Sequence, residues 1–165
     1  MKNLLLMILF LTAPPVVQAL DLQARKPDTR PAIFDPARDA ARDIRQAVAE
    51  AAKSGKRVLV DVGGNWCIWC HEMERFFETH EDLRSLRDRY YVMVRINWSP
   101  ENNNEAVLSK YPKIPGYPHL FVLDKTGALL HSQDTSALED GGRSYDLEKF
   151  KAFLREWAPS EQQKR

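Results

Sequence analysis

The sequence predicts an α/β fold in which helices cover both faces of a central mixed sheet, made of parallel strands and a C-terminal antiparallel hairpin. Three observations predict this fold. Short apolar runs at 57–62, 91–97 and 119–123 are typical of strands. Helical periodicity separates these runs, and strands that alternate with helices usually pair in parallel. The turn sequence at 124–127 joins the third run to a returning strand, which predicts the hairpin.

The composition excludes several classes of protein. The 165 residues are 44% hydrophobic and 28% charged, so the chain can bury a core and is not a disordered tail. Lys and Arg total 24 while Asp and Glu total 23, and this near balance argues against a dedicated surface for nucleic acid or anionic membranes. The 2 cysteines are too few for a disulfide-stapled scaffold or a four-cysteine metal site.

Residues 1–19 are typical of a secretory signal peptide. Lys2 is a short basic n-region, 4–11 is an apolar run, and 17–19 is a small-residue cleavage pattern. The apolar run is too short to span a bilayer, which needs about 20 helical residues, so we expect no stable membrane insertion after cleavage. The sequence therefore predicts a periplasmic or secreted protein.

A tether and a helix come next in the chain. Residues 20–34 mix charges with two prolines and show no clear period, so we interpret them as a tether that ends in a short edge strand at 32–34. Asp35 as N-cap and Pro36 as the first helical residue then predict the start of a helix. Gly55 is typical of the residue that ends it.

The later elements follow from apolar runs and helical periods. The run at 57–62 lies between glycines and predicts a central strand that is buried on both faces. The pattern then predicts, in order, a helix to Thr79, a helix at 81–89, a strand at 91–97, a helix at 101–110, an irregular segment at 113–118, strands at 119–123 and 128–132, and a last amphipathic helix whose inner face carries Phe150, Phe153, Leu154 and Trp157. We expect one domain over 35–158 and a polar tail over 159–165.

Cys67 and Cys70 lie at the start of the helix that follows the central strand. A thiolate there faces unpaired backbone N–H groups and the positive end of the helix dipole, which lower the pKa of a cysteine thiol. We therefore expect Cys67 to be the nucleophile, and Cys70, one turn later, to attack a mixed disulfide and release the partner. A disulfide between them would close a loop too small to stabilise the fold by restricting the unfolded chain. The spacing is the one that dithiol–disulfide exchange requires, and we expect a redox-active Cys67–Cys70 disulfide with no other cofactor and no metal.

The segment 58–70, VLVDVGGNWCIWC, resembles the active-site segment of the thioredoxin superfamily. Asp61 lies six residues before Cys67, where thioredoxins have a buried acid, and Arg95 falls where they usually have a lysine near that acid. The Gly-Tyr-Pro at 116–118 resembles their loop with a cis proline. The Trp-Cys-x-x-Cys-His-x-Met run and the signal peptide are closer to exported thioredoxin-like proteins, among them the C-terminal domain of the transmembrane disulfide reductase.

The resemblance implies a thioredoxin-like fold and a role for each matching residue. Asp61 is expected to accept and return the proton of Cys70 through a water, and Arg95 to tune the pKa of Asp61. Five residues around the disulfide are expected to contact substrate: Trp66, Ile68, Trp69, Tyr117 and Pro118. The implied partners are protein disulfides and, because the chain carries no nucleotide-binding motif, a membrane thiol electron donor.

The direction of electron flow stays open in the sequence. The dipeptide between the cysteines, Ile68-Trp69, is neither the Gly-Pro of reducing thioredoxins nor the Pro-His of strong oxidants. This dipeptide helps to set the stability of the thiolate and hence the reduction potential. A reductase is the favoured interpretation because the expected compartment already oxidises thiols.

Two interpretations from other classes fit the same residues. The run Cys67-Ile-Trp-Cys70-His71 also matches the pattern for covalent c-type haem attachment, with His71 as an axial ligand. Neither Met73 nor Met93 is a convincing second ligand, and the predicted strands oppose a small helical cytochrome. The other alternative is a non-catalytic folding or metal-binding module, although the remaining histidines show no spacing suited to a metal site.

Overall fold

The computed structural model describes residues 29–160. In chain order its elements are α1 (Ala40–Ser54), β1 (Arg57–Gly63), α2 (Ile68–Thr79), α3 (Glu81–Tyr90), β2 (Tyr91–Asn97), α4 (Glu105–Leu108), β3 (His119–Leu123), β4 (Leu129–Asp134), a 3₁₀ helix (Thr135–Leu138) and α5 (Leu147–Glu156). The predicted signal peptide, residues 20–28 of the tether and residues 161–165 of the tail lie outside the described residues. Within the described range, no helix combines the length and the hydropathy that crossing a membrane requires.

Helix α1 begins four residues later than the sequence predicted. Asp39, not Asp35, is the N-cap, and its side chain accepts a hydrogen bond from the Arg42 N–H. The Asp35 prediction was wrong because Asp35 caps a separate turn, in which its Oδ1 accepts from the Ala37 N–H. Gly55 ends the helix as predicted, in a left-handed conformation with φ of 68° that glycine adopts without a Cβ clash.

Two other predicted elements differ from the structure. Residues 32–34 form no edge strand, because the N–H groups of Ile33 and Phe34 both bond to the side chain of Asn65. The helix predicted at 101–110 is reduced to the four residues of α4. The residue before α4, Asn104, is in the left-handed region with φ of 50°, and its side chain donates back to the carbonyl of β2, so the chain cannot enter the helix earlier.

The four strands form one sheet in the order β2-β1-β3-β4. The parallel β1–β2 pair and the β3–β4 hairpin agree with the sequence. Strand β3, however, lies antiparallel to β1, a direction that the alternation of strands and helices does not give. Val62 pairs with both Ile96, near the end of β2, and His119, at the start of β3. The segment between β2 and β3 therefore passes the end of β1, from the β2 side to the β3 side, and reverses the chain direction at that end of the sheet.

The core lies on both faces of the sheet, as the sequence predicted. The face covered by α2, α3 and α5 includes Leu59, Met73, Phe77, Phe150 and Leu154. The face covered by α1 includes Ala47, Ala51, Val58, Val60 and Phe121. Because successive strand residues point to opposite faces, Asp61 and Gly63 lie on the face of Leu59, beneath α2. This places a carboxyl group and a residue without a side chain below the helix that carries both cysteines.

Candidate active site

The two cysteines form a disulfide at the N-terminus of α2. Cys67 is the N-cap, and its Sγ accepts a hydrogen bond of 3.1 Å from the Cys70 N–H. Cys67 is 4% exposed and Cys70 only 1%, so the second sulfur is the more enclosed of the two. An N-cap side chain that accepts from the first turn is stabilised further when it is negative, because the free N–H groups and the helix dipole favour an anion there.

Gly63 allows Cys70 to approach the backbone of β1. A Cβ at position 63 would come within 2.5 Å of the Cys70 Sγ and within 2.9 Å of the Phe34 ring. Real Cβ atoms do not tolerate such distances, so any larger residue would displace the sulfur or the ring. Phe34, which the sequence placed at the end of the tether, therefore belongs to the surroundings of the disulfide. Its position in an aperiodic segment gave no sequence signal for this contact.

Asp61 is buried beneath α2, as its apolar neighbours in β1 predicted. Its Oδ1 has no hydrogen-bond partner within residues 29–160, and its Oδ2 lies 3.9 Å from the Arg95 Nε. Burial raises the pKa of Asp61 to about 7, against the opposing attraction of Arg95, and the negative charge of Glu74 raises it further. Asp61 is thus a carboxyl group that changes its charge near neutral pH.

Arg95 pairs more closely with Glu74 than with Asp61. Its Nη2 donates to the Glu74 Oε2, whereas its contact with Asp61 lies at the outer limit of an ion pair. Sequence reasoning missed Glu74, although it lies four residues after Cys70 and therefore on the same side of α2. The structure brings together two carboxyl groups and one guanidinium beside α2, the helix that carries Cys70.

Aromatic rings and an exposed aliphatic side chain surround the approach to the disulfide. Trp66 is 47% exposed and Ile68 is 74% exposed. The Trp66 ring packs edge-on against both Trp98 and Tyr117, and its Nε1 donates to the Trp98 carbonyl over 2.8 Å. Trp98 stacks on Tyr117 with 5.1 Å between ring centroids. Sequence reasoning missed Trp98; its position directly after β2, at the edge of the sheet where β1 also ends, is the signal that indicates it.

The loop at 116–118 lies beside the disulfide. Tyr117 is half-buried and packs against the cluster of Phe34, Cys67 and Cys70. The Tyr117–Pro118 peptide bond is cis, and the buried Pro118 carbonyl accepts a hydrogen bond of 2.6 Å from the Thr135 Oγ1. The unpredicted 3₁₀ helix therefore holds this loop in place.

Trp69 and His71 both have partners within the fold. Trp69 is half-buried, so it is neither fully exposed for substrate contact nor fully enclosed in the core. Its ring packs edge-on against Tyr145. The Tyr145 hydroxyl donates to the Trp69 carbonyl over 3.3 Å. His71 Nε2 lies 2.8 Å from the Asn65 carbonyl. The bonded pair of sulfurs is the arrangement that disulfide exchange requires. Residues 29–160 contain no group of three or more side chains that could hold a metal ion.

Comparisons with known proteins agree with this geometry. Residues 39–125 match the family model described as Thioredoxin-like. The chain is 28% identical over 118 residues to the thiol:disulfide interchange protein DsbD of Escherichia coli K12, a match that covers 71% of this chain and 19% of that protein. The chain thus spans about a fifth of the length of the curated relatives it matches.

Two solved structures show the same fold. A disulphide isomerase from Xylella fastidiosa Temecula1 superposes with a TM-score of 0.65 at 19% identity, over 76% of this chain and 96% of that one. The oxidised C-terminal domain of Neisseria meningitidis DsbD superposes with a TM-score of 0.51 at 24% identity, over 72% and 96%. At these identities the likeness concerns the fold alone.

Proposed function

Because the chain belongs to the thioredoxin-like family, we propose that it is a thiol–disulfide oxidoreductase that acts through Cys67 and Cys70. The observation that carries this proposal is the disulfide itself, formed between the N-cap of α2 and the residue one turn later. A helix N-terminus stabilises a thiolate at Cys67, and the three-residue separation keeps the second sulfur within bonding distance of the first.

The reaction transfers two electrons from the reduced pair to a substrate disulfide. The Cys67 thiolate attacks one substrate sulfur, a mixed disulfide forms, and the other substrate sulfur leaves as a thiolate. The Cys70 thiol loses its proton and attacks the Cys67 Sγ, which reforms the Cys67–Cys70 disulfide and releases the second substrate thiolate. Both released thiolates take protons from solvent or from the site, so the substrate gains two electrons and two protons.

Asp61 is the group that we assign to the proton of Cys70. It lies on the same strand face as Gly63, which the Cys70 Sγ contacts, and its pKa of about 7 allows it to take up and return a proton at neutral pH. A water carries the proton between the carboxyl and the sulfur in this proposal. Arg95 and Glu74 act through Asp61 by tuning its pKa. The charge of Arg95 stabilises the Asp61 carboxylate, and the charge of Glu74 destabilises it.

We assign substrate binding to Trp66, Ile68, Trp69, Tyr117 and Pro118. The exposure of Trp66 and Ile68 beside the enclosed disulfide supports this assignment, since apolar side chains in such a position are suited to contact another protein. Trp98, which stacks on Tyr117, belongs to the same surface. Substrates are therefore proteins with accessible disulfides.

We place the reaction outside the cytoplasm and assign it the reducing direction. The signal-peptide pattern at 1–19 supports export. In an oxidising compartment the Cys67–Cys70 disulfide needs an electron donor, and a membrane thiol carrier is the class that fits. Measuring the reduction potential tests the direction: a value near about −270 mV supports a reductase, and one near about −120 mV would reverse it.

Insulin reduction with two single-cysteine variants tests the activity. We expect the wild type to catalyse the reaction and both Cys67→Ala and Cys70→Ala to lose turnover. Cys70→Ala should accumulate a mixed disulfide with insulin at Cys67, whereas Cys67→Ala should not, because only the first cysteine is the nucleophile. Equal turnover by all three proteins would overturn the proposal, as would a haem absorption band in the purified wild type.

A further inference from the structure

Residues 30–34, which we call the strap, lie against the active-site disulfide before the chain enters α1. Phe34 is 3% exposed although it lies outside every helix and strand. It forms one apolar cluster with Cys67 and Cys70, and Ile33 packs against the edge of that cluster. A phenyl ring in a segment without secondary structure is therefore as enclosed as a core side chain, and the group that it contacts is the redox pair.

The strap is attached to the active-site loop itself. The Asn65 Oδ1 accepts hydrogen bonds of 2.9 Å from the N–H groups of both Ile33 and Phe34, and the Asn65 Nδ2 donates to the Phe34 carbonyl over 2.8 Å. Arg30 adds a contact of 3.4 Å from its Nη2 to the Trp66 carbonyl. Asn65 lies two residues before Cys67, so one side chain fixes the strap relative to the disulfide.

The position of the Phe34 ring indicates which sulfur it covers. A Cβ at position 63 would touch both the Cys70 Sγ and the Phe34 ring, so the ring and the second sulfur meet over the same point of β1. Cys70 is the more enclosed cysteine, and the exposed side chains of Trp66 and Ile68 flank Cys67 in the chain. Phe34 thus lies on the Cys70 side of the pair, where its ring and the Cys70 Sγ meet over Gly63.

We propose that the strap shields Cys70, so that external thiols and disulfides exchange only with Cys67, and that Asn65 is the positioning residue that holds the shield. This inference rests on the proposed function. An unshielded Cys70 thiolate would attack an external disulfide, bond to one of its sulfurs and release the other as a thiolate. That product cannot be resolved in the intended order, because Cys67 would then have to act as the resolving group.

Alkylation of single-cysteine variants of the full chain tests the shield. In a Cys67→Ala background, we expect Phe34→Ala and Asn65→Ala each to raise the rate of Cys70 alkylation by iodoacetamide about tenfold or more, because each loosens the strap. Asn65→Asp keeps the acceptor for both N–H groups but loses the donor, so it should give a smaller increase. Phe34→Leu, which keeps an apolar cover, should restore a rate near that of the parent.

The matching series in a Cys70→Ala background provides the control. There, the same strap variants should change the alkylation rate of Cys67 about twofold or less, because the ring meets the Cys70 Sγ over Gly63 whereas the neighbours of Cys67 in the chain, Trp66 and Ile68, are exposed. Thermal unfolding of each variant is recorded, and all rates are measured well below the transition. An unchanged ratio of Cys70 to Cys67 rates would overturn the shield while leaving the insulin result intact. If Cys67→Ala accumulated the mixed disulfide with insulin as readily as Cys70→Ala, the proposed function would be overturned instead.

Discussion

Replacing Asp61 with asparagine should make the oxidised protein more stable than the wild type at alkaline pH. At acid pH the two proteins should be equally stable. Burial raises the pKa of Asp61 from 3.8 to about 7, and each pKa unit corresponds to about 1.4 kcal/mol, so ionisation of this carboxyl costs the fold about 4 kcal/mol. The folded state binds this proton more tightly than the unfolded state. The contribution of Asp61 to the free energy of unfolding is therefore largest below pH 3.8 and is lost as the pH rises toward 7.

The Asp61→Asn substitution keeps the shape of the side chain without the charge, so the difference in unfolding free energy isolates the ionisation. We expect this variant to match the wild type near pH 4 and to exceed it by up to about 4 kcal/mol near pH 8. Urea unfolding of the disulfide-bonded proteins across this range measures the difference. Glu78→Gln, an equivalent change at an exposed position on α2, should give a difference near zero throughout. A pH-independent difference for Asp61→Asn, or a loss of stability at pH 8, would refute this account of the buried carboxyl.

Two further predictions concern the same site. Gly63→Ala places a Cβ within 2.5 Å of the Cys70 Sγ, so it should lower the free energy of unfolding of the oxidised form by about 1–3 kcal/mol. Urea unfolding measures this difference, and unchanged stability would contradict the close approach of the sulfur to Gly63. Glu74→Gln should lower the pKa of Asp61 because it removes a nearby negative charge, and Arg95→Gln should raise it. NMR titration of the Asp61 carboxyl measures both changes, and shifts in the same direction for the two variants would contradict the assignment.

Much of the fold could be predicted because its signals are local. The bounds of β2 follow from one apolar run, and the end of α1 follows from a glycine in the left-handed region. The position of the disulfide at the start of α2 follows from the cysteine spacing after a buried strand. Each of these features depends on residues that are neighbours in the chain, so periodicity and capping preferences are enough to locate them.

Other features depend on contacts between distant segments. Asp35 and Asp39 are both acceptable N-caps, and the choice between them is set by a turn that forms at the first. The direction of β3 is decided by where the chain re-enters the sheet, which its own sequence does not encode. Glu74 was missed because its partner Arg95 lies on another element, 21 residues away in the chain.

The sequence alone determined that two cysteines would lie where a helix begins after a buried apolar strand, because hydrophobic periodicity and helix-terminus chemistry act over a few residues. Only the tertiary structure decided what surrounds them. Phe34 reaches the site from a segment with no pattern of its own and is held there by Asn65, while Trp98 follows β2 and is held by stacking on Tyr117. Such contacts arise from the packing of the whole sheet and its helices, and packing is a property of the folded chain and not of any short stretch of it.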